Sequence, residues 1–215
     1  MKDISIIVCT YNHAKWIERC LRSIQNQAYI KNEKFEIILV DDASKDQTSY
    51  ILNKFKKFKN ILFIKNKKNL GLTKSLNIAL KRSSGRYIVR VDSDDYVHRN
   101  FLFLMKFFLD KNRFYHGVCV DYVETNFNEE EIKRQNAINN EIACGVMFRR
   151  ECLFELGLYN EKFKMREGHD LKKRFLENHF KLGHLELPLY KYRMHDSNRT
   201  KNKKKLKKYN LMLGK

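Results

Sequence analysis

Short apolar runs alternate along this chain with longer stretches in which apolar residues recur every three or four positions. Ile4-Ser-Ile-Ile-Val-Cys9 is the first run, β-branched and brief, and predicts a buried strand. Thr10-Tyr-Asn12 breaks the pattern, with Asn12 placed to cap the segment that follows. That segment puts Trp16, Ile17, Cys20, Leu21 and Ile24 on one helical face. Phe35–Val40 predicts a second strand, ending at Asp41-Asp-Ala-Ser-Lys-Asp46, and a helix then turns Ile51, Leu52, Phe55 and Phe58 inward. Ile61–Ile64 reads as a third strand, Lys67–Gly71 as a loop and Leu72–Leu80 as a short helix. Strand and helix thus alternate three times before a further strand begins at Arg86. This order predicts right-handed βαβ units on a parallel sheet.

The second half is less regular. A helix is predicted from His98, carrying Phe101, Leu102, Met105 and Leu109 inward, and strands over Gly117–Tyr122 and Ile142–Phe148. Between those strands, Glu124–Asn140 is polar and weakly periodic, and reads as a mobile excursion of lid type. Glu151–Leu156 makes one or two helical turns closed by Gly157, and Glu167–Asn178 is a helix with Leu171 and Phe175 inward. Pro188 has no N–H for a ladder, so Leu189–Arg193 is expected at a sheet edge.

Composition changes this picture in two places. The formal charge is +19, which calls for an acidic partner. Arg199–Lys215 holds eight of the cations and no acid, yet residues 1–198 still carry 36 basic against 25 acidic groups. Five cysteines without CxxC or His/Cys metal spacing read as small apolar residues in a reducing compartment. No signal peptide is evident, and the longest apolar stretch, Phe101–Leu109, contains Lys106 and cannot span a bilayer. The expectation is a protein that is soluble or peripheral to a membrane.

The chemistry concentrates at Arg86-Tyr-Ile-Val-Arg-Val-Asp-Ser-Asp-Asp-Tyr96. A strand that delivers Asp92, Asp94 and Asp95 to its carboxyl end crowds like charges, which a cation must offset. Oxygen ligands suit Mg²⁺ or Mn²⁺, and the carboxyl ends of strands are where open α/β sheets bind ligands. A solvated acidic turn is the plainer alternative. Val97 and Phe103 stand where a calcium loop counted from Asp92 needs Gly and Glu. No glycine phosphate loop, GxGxxG or GxxxxGK[ST], follows the first strand.

Seven segments, taken in order, resemble the family 2 glycosyltransferases of GT-A fold. They are Ser5–Asn12, Asp41–Asp46, Asn69–Gly71, Asp92–Asp95, Gly145–Arg150, Gly157–Glu161 and Tyr192–His195. The resemblance implies a GT-A-type, Rossmann-like, mostly parallel sheet flanked by helices, a single domain over residues 1–198. Residues 1–97 would be its nucleotide-sugar-binding half, 98–198 its acceptor half, and 199–215 a basic tail. It implies a nucleotide-sugar donor, UDP-linked by preference, and a divalent metal. Thr10 and Tyr11 would line the base pocket, Asp41 and Asp42 would bond the base edge, and Asp92 would hold the ribose. Asn12, Asn69, Gly71 and Ser93 would complete the donor site. Asp94 would ligate the metal, with His195 near metal and diphosphate.

The family's general base usually comes from a Glu-Asp pair followed two residues later by an acid and Leu. Here the segment is Glu167-Gly-His-Asp-Leu171, with Gly168 in place of that Asp. Asp170, then Glu167 and after them His169, are the candidates to replace it; a capping cluster without catalysis is the alternative. The implied acceptor is a glycan or lipid-linked precursor. The implied location is the cytoplasm, with the Lys-rich tail either solvated or laid as an amphipathic helix on an anionic inner leaflet. Nucleic acid is not expected as a partner, since no helix-turn-helix, zinc or RNA-sheet signature appears. A catalytically silent nucleotide-sugar binder remains the rival to an enzyme.

Overall fold

The computed structural model describes residues 2–214. The strands are β1 Ile4–Thr10, β2 Phe35–Asp41, β3 Ile61–Lys65, β4 Tyr87–Arg90, β5 Tyr96–Val97, β6 Gly117–Thr125, β7 Glu131–Gln135, β8 Val146–Arg149 and β9 Leu182–Arg193. The α-helices are α1 Ile17–Gln25, α2 Thr48–Asn53, α3 Leu72–Lys81, α4 Phe101–Lys111, α5 Arg150–Glu155, α6 Glu167–Glu177 and α7 Lys203–Leu213. One sheet runs β3-β2-β1-β4-β8-β6-β9-β5, with β7 paired to β6. The β3-β2-β1-β4 half is parallel, as the βαβ reading predicts. Beyond it the sheet is mixed: β8 runs antiparallel to β4 and β6, and β9 parallel to β6.

Side-chain alternation explains why β1 and β2 read as unbroken apolar runs. Ile4, Ile6, Val8, Phe35, Ile37 and Leu39 pack into one core, and Ile7, Ile38 and Val40 into the other. Successive residues point to opposite faces, and helices cover both, so the middle of each strand is apolar on both faces, while Ser5 donates to Glu36 at 2.6 Å near the strand starts. α1 and α4 close the first face; α3, α5 and α6 close the second. Gly85 is required where the chain enters β4, because a Cβ there would stand 2.5 Å from the backbone N of Ser5.

β2 and β4 flank β1 on its two sides, so the connections leave β1 in opposite directions. That switch point opens a crevice at the carboxyl ends of β1 and β4. It positions the site.

Three local expectations need correction. Asn12 does not cap α1, which begins at Ile17; it sits at φ 55° in the turn between them. The expected mobile excursion contains β7, which pairs with β6 through Tyr122–Gln135 and its neighbours. Its residues are exposed and charged, so periodicity gave no sign of it. β9 is not an edge strand: it lies between β6 and β5, and Pro188 falls at a register shift opposite Asp121. The irregular register there accommodates the missing N–H.

The basic tail is helix α7, capped by the Asn202 side chain, which accepts from the Lys205 N–H at 3.0 Å. Tyr209 and Leu213 are buried against Phe163 and Met165. Arg166 donates to Asn210 Oδ1 at 2.9 Å, and Lys173 to the Leu213 carbonyl at 3.1 Å. Leu211 and Met212 remain exposed beside the lysines. No helix of the described residues is long and apolar enough to cross a membrane.

Candidate functional site

A cavity of about 540 Å³ occupies the switch-point crevice. Thr10, Tyr11 and Asp42 form one wall, Asn69–Ser75 a second, and Asp92, Ser93 and Asp94 the floor. Glu161, Lys164, Ser197 and Arg199 close it from the second half of the chain. Thr10 Oγ1 is buried and has no hydrogen-bond partner. An unpaired hydroxyl in a cavity wall is available to a bound molecule or to water.

The two βα turns beside the cavity are laced together. Asn12 N donates to Ser44 Oγ at 3.0 Å, and Lys45 N to Asn12 Oδ1 at 2.8 Å. Asp41 accepts from Ser44 N at 2.9 Å and from Ser49 Oγ at 3.1 Å. Asn12 and Asp41 thus shape the turns and do not line the cavity. Asp42 lines it and also organises its roof, accepting from Leu70 N and Gly71 N at 2.8 Å each and from Asn66 Nδ2 at 2.7 Å. Gly71 takes φ 86°, a conformation that favours glycine, at the start of α3.

The three clustered carboxylates have three different environments. Arg90, buried on β4, donates through Nε to Asp92 Oδ1 at 2.7 Å and through Nη2 to Oδ2 at 3.0 Å. Asp95 is buried, accepting from Tyr190 OH at 2.7 Å and from Arg193 N at 2.8 Å. Burial, and then the charges of Asp94 and Asp92, push its carboxyl well above the usual range. Asp95 is therefore a structural tie to β9. Asp94 keeps its charge. Burial opposes ionisation, but the His195 hydrogen bond and the charges of His13 and His195 outweigh it and hold the carboxyl low.

Asp94 Oδ2 stands 3.0 Å from His195 Nε2, and His195 Nδ1 stands 2.8 Å from Ser197 Oγ. Trp16 stacks on the His195 ring at 4.2 Å between centroids, fixing its plane. Asp94 and His195 share a hydrogen bond; with that proton lost, the same oxygen and nitrogen would hold a divalent cation such as Mn²⁺. The other acidic group, Asp92, Asp95 and Cys144, holds ligand atoms within 4.8 Å. Arg90 already supplies its positive charge, and burial keeps the Cys144 thiol protonated.

The residues expected to supply a base lie outside the cavity lining. Glu167 is buried, its Oε1 3.0 Å from Arg90 Nη1 and 3.7 Å from Arg199 Nη1. Burial disfavours its charge, yet Arg90 and then Arg199 more than compensate and hold its carboxyl low. Asp170 Oδ2 accepts from Arg174, 2.9 Å from Nε and 2.8 Å from Nη2, and the same guanidinium bonds the carbonyls of Leu156 and Leu158. At Gly168 a Cβ would meet the Cβ of Ala143 at 2.5 Å, so the position expected to hold Asp is filled by a neighbour.

Sequence reading brought out Thr10, Tyr11, Asp42, Asn69, Gly71, Asp92, Ser93 and Asp94, all of which line the cavity. It missed His13, whose Nδ1 stands 2.7 Å from Ser93 Oγ, and Arg90, Arg193 and Arg199. Arg90 had a visible sign: a cation inside an otherwise apolar strand, two residues before the acid it pairs.

Residues 5–184 match the profile of Glycosyl transferase family 2. TarS of Staphylococcus aureus, a poly(ribitol-phosphate) beta-N-acetylglucosaminyltransferase, is 38% identical over 113 residues, covering 52% of this chain and 20% of TarS. An uncharacterised glycosyltransferase of Haemophilus influenzae is 41% identical over 110 residues, covering 51% of this chain and 33% of that one. The chain thus spans a third or less of these relatives. The structure of TarS with UDP-GlcNAc superposes with a TM-score of 0.79 at 24% identity, over 94% of this chain and 61% of that one. A mannosyltransferase from Pyrobaculum calidifontis with GDP-Man and Mn²⁺ superposes at 0.73 and 20% identity, over 94% and 60%. The fold is the GT-A arrangement, and the chain belongs to glycosyl transferase family 2.

Proposed function

We propose that this chain transfers a sugar, with inversion, from a UDP-sugar to a hydroxyl of a glycan or lipid-linked acceptor. The observation that carries the reading is the cavity itself. It joins an orphaned Thr10 Oγ1 to an ionised Asp94 paired with His195, at the switch point where nucleotides bind in such sheets. The structures of TarS with UDP and UDP-GlcNAc support a UDP-linked donor.

In this reading Thr10 and Tyr11 hold the base, with Asn12, Asp41 and Asp42 shaping the turns around it. Asn69, Gly71 and Ser93 line the cavity around the donor. Asp92, fixed by Arg90, takes the ribose. Asp94 and His195 hold the divalent cation, which when bound offsets the charge that develops on the departing diphosphate. Arg199 and Lys164 face the same charge from the opposite wall.

Of the candidate bases Asp170, Glu167 and His169, Glu167 is the best supported, which reverses the order expected from the sequence. Arg199 lies 3.7 Å from it and also lines the cavity. A diphosphate that draws Arg199 away removes one of the two cations that suppress the basicity of Glu167. Glu167 is buried outside the cavity lining, so it acts as base where the movement of Arg199 also opens it to the acceptor hydroxyl, whose proton it takes as the hydroxyl oxygen attacks the anomeric carbon and UDP leaves. Asp170 serves instead as an anchor for Arg174.

A second reading, a nucleotide-sugar binder without turnover, is favoured by Gly168, where Ala143 occupies the place of the missing carboxylate. A donor panel separates the two. Purified protein with Mn²⁺ and UDP-, GDP- and CMP-sugars, alone and with simple glycoside acceptors, should release UDP from one of them. Tight UDP binding with no release from any donor supports the silent binder. The cytoplasmic face of a membrane is the proposed working place, with the lysines, Leu211 and Met212 of α7 against anionic lipid.

A further inference from the structure

The guanidinium of Arg193 ties the backbone at Asp94 to the tip of the β6–β7 hairpin, which carries an exposed aromatic residue. Arg193 Nε donates to the Asp94 carbonyl at 3.0 Å, and Nη1 to the Phe127 carbonyl at 3.3 Å. Its Nη2 pairs with Glu129 Oε1 at 3.0 Å, and Arg19 Nε meets Glu129 Oε2 at 2.9 Å. The Arg193 side chain is only 3% exposed. One buried cation thus fixes the tip of the β6–β7 hairpin to the segment carrying the Asp94 carboxylate. The Phe127 ring on that tip is nonetheless 53% exposed.

Its surroundings make a defined surface. Met194, 37% exposed, is held beside the hairpin by its N–H to the Thr125 carbonyl at 2.8 Å. Lys15 Nζ stands 3.9 Å from the Phe127 ring centre and 5.9 Å from that of Trp16, which stacks on His195. None of Lys15, Trp16, Phe127 and Met194 lines the donor cavity.

The Lys15 ammonium covers one face of the Phe127 ring, and the remaining exposed part of the ring is apolar. The C–H-rich face of a pyranose complements that open face. We infer that Phe127, Met194 and Lys15 form an acceptor subsite that stacks one pyranose ring, so the acceptor is sugar-terminated rather than a bare lipid alcohol. This rests on the glycosyltransferase reading, and Phe127 acts in it as a specificity-determining residue.

Trp16 is the single tryptophan, so its emission reports the subsite without turnover. Wild-type protein is titrated with a panel of methyl pyranosides, with and without UDP and Mn²⁺, and UDP binding is measured separately by calorimetry. At least one pyranoside should change Trp16 emission saturably. Phe127→Ala should raise its dissociation constant about fivefold to tenfold. Phe127→Tyr should restore it, and both variants should bind UDP as wild type does. No saturable response to any pyranoside, or equal constants in wild type and Phe127→Ala, overturns the subsite while leaving the donor reading intact. Failure to bind UDP with a normal pyranoside response overturns the donor reading instead.

Discussion

A Cβ on Gly168 would approach the Cβ of Ala143 to 2.5 Å and its Cα to 2.8 Å. The missing carboxylate is therefore not a simple omission at an open position. Gly168→Asp should lower stability by about 1–3 kcal/mol, the usual cost of overpacking. Combining it with Ala143→Gly should recover only part of that loss, because the backbone Cα at position 143 would still stand 2.8 Å away. Thermal melts of the two single variants and the double variant give the comparison; a stable single Gly168→Asp variant would contradict it.

Glu167 and Asp170 make opposite predictions in one assay. Glu167→Gln should lower kcat about a hundredfold or more, beyond any change in the KM for the donor that a loosened Arg90 and Arg199 bring. Asp170→Asn should mainly reduce stability, by about 1–3 kcal/mol, because Arg174 loses its carboxylate partner. Steady-state kinetics beside melting curves tell them apart. Dead Asp170→Asn with active Glu167→Gln would reverse the assignment.

Asp121 gives a pH dependence of known sign. Burial disfavours its charge, but hydrogen bonds from His184, Ala137 N and Arg134 outweigh it and hold the carboxyl low. A folded pKa below the unfolded value of about 3.9 means stabilisation above that pH, lost as pH falls through the folded value. Asp121→Asn should therefore lower the melting temperature at pH 7, and the difference from wild type should shrink below about pH 4. A difference that grows on acidification would refute the linkage.

For α7, the apolar residues left outside are Leu211 and Met212, at 67% and 45% exposure. Replacing both with Glu should abolish co-sedimentation with anionic liposomes at low salt and leave UDP affinity unchanged. Deleting the helix is a poorer test, because it also removes Tyr209 and Leu213 from their packing. Equal binding of wild type to neutral vesicles would count against the electrostatic contact.

The first half of the fold was legible because strands covered on both faces show as nearly continuous apolar runs, broken in Phe35–Val40 only by Glu36. β7 was not, since Glu131–Arg134 are exposed and paired only to β6, so no burial imposes a period on them. α7 showed its two-sidedness, but its partners Phe163 and Met165 sit in a loop that has no pattern of its own. In the site, residues near strand ends were found where a turn follows an apolar run. Those that reach the site from afar were not: Arg193 bonds Asp94 across 99 positions, and Arg199 pairs with Glu167 from a segment read as tail. Asn12 was seen but given the wrong local task, because the left-handed turn at its position delays the start of α1.

The central claim is a UDP-sugar site whose cation is held by Asp94 and His195. Calorimetric titration of UDP into wild-type protein, in Mn²⁺ and in chelator, tests it most directly, with Asp94→Ala and His195→Ala run alongside. The account predicts about tenfold or tighter binding in Mn²⁺ for wild type, with that gain lost in both variants and the affinity in chelator unchanged. Equal wild-type UDP affinity in Mn²⁺ and in chelator would contradict it.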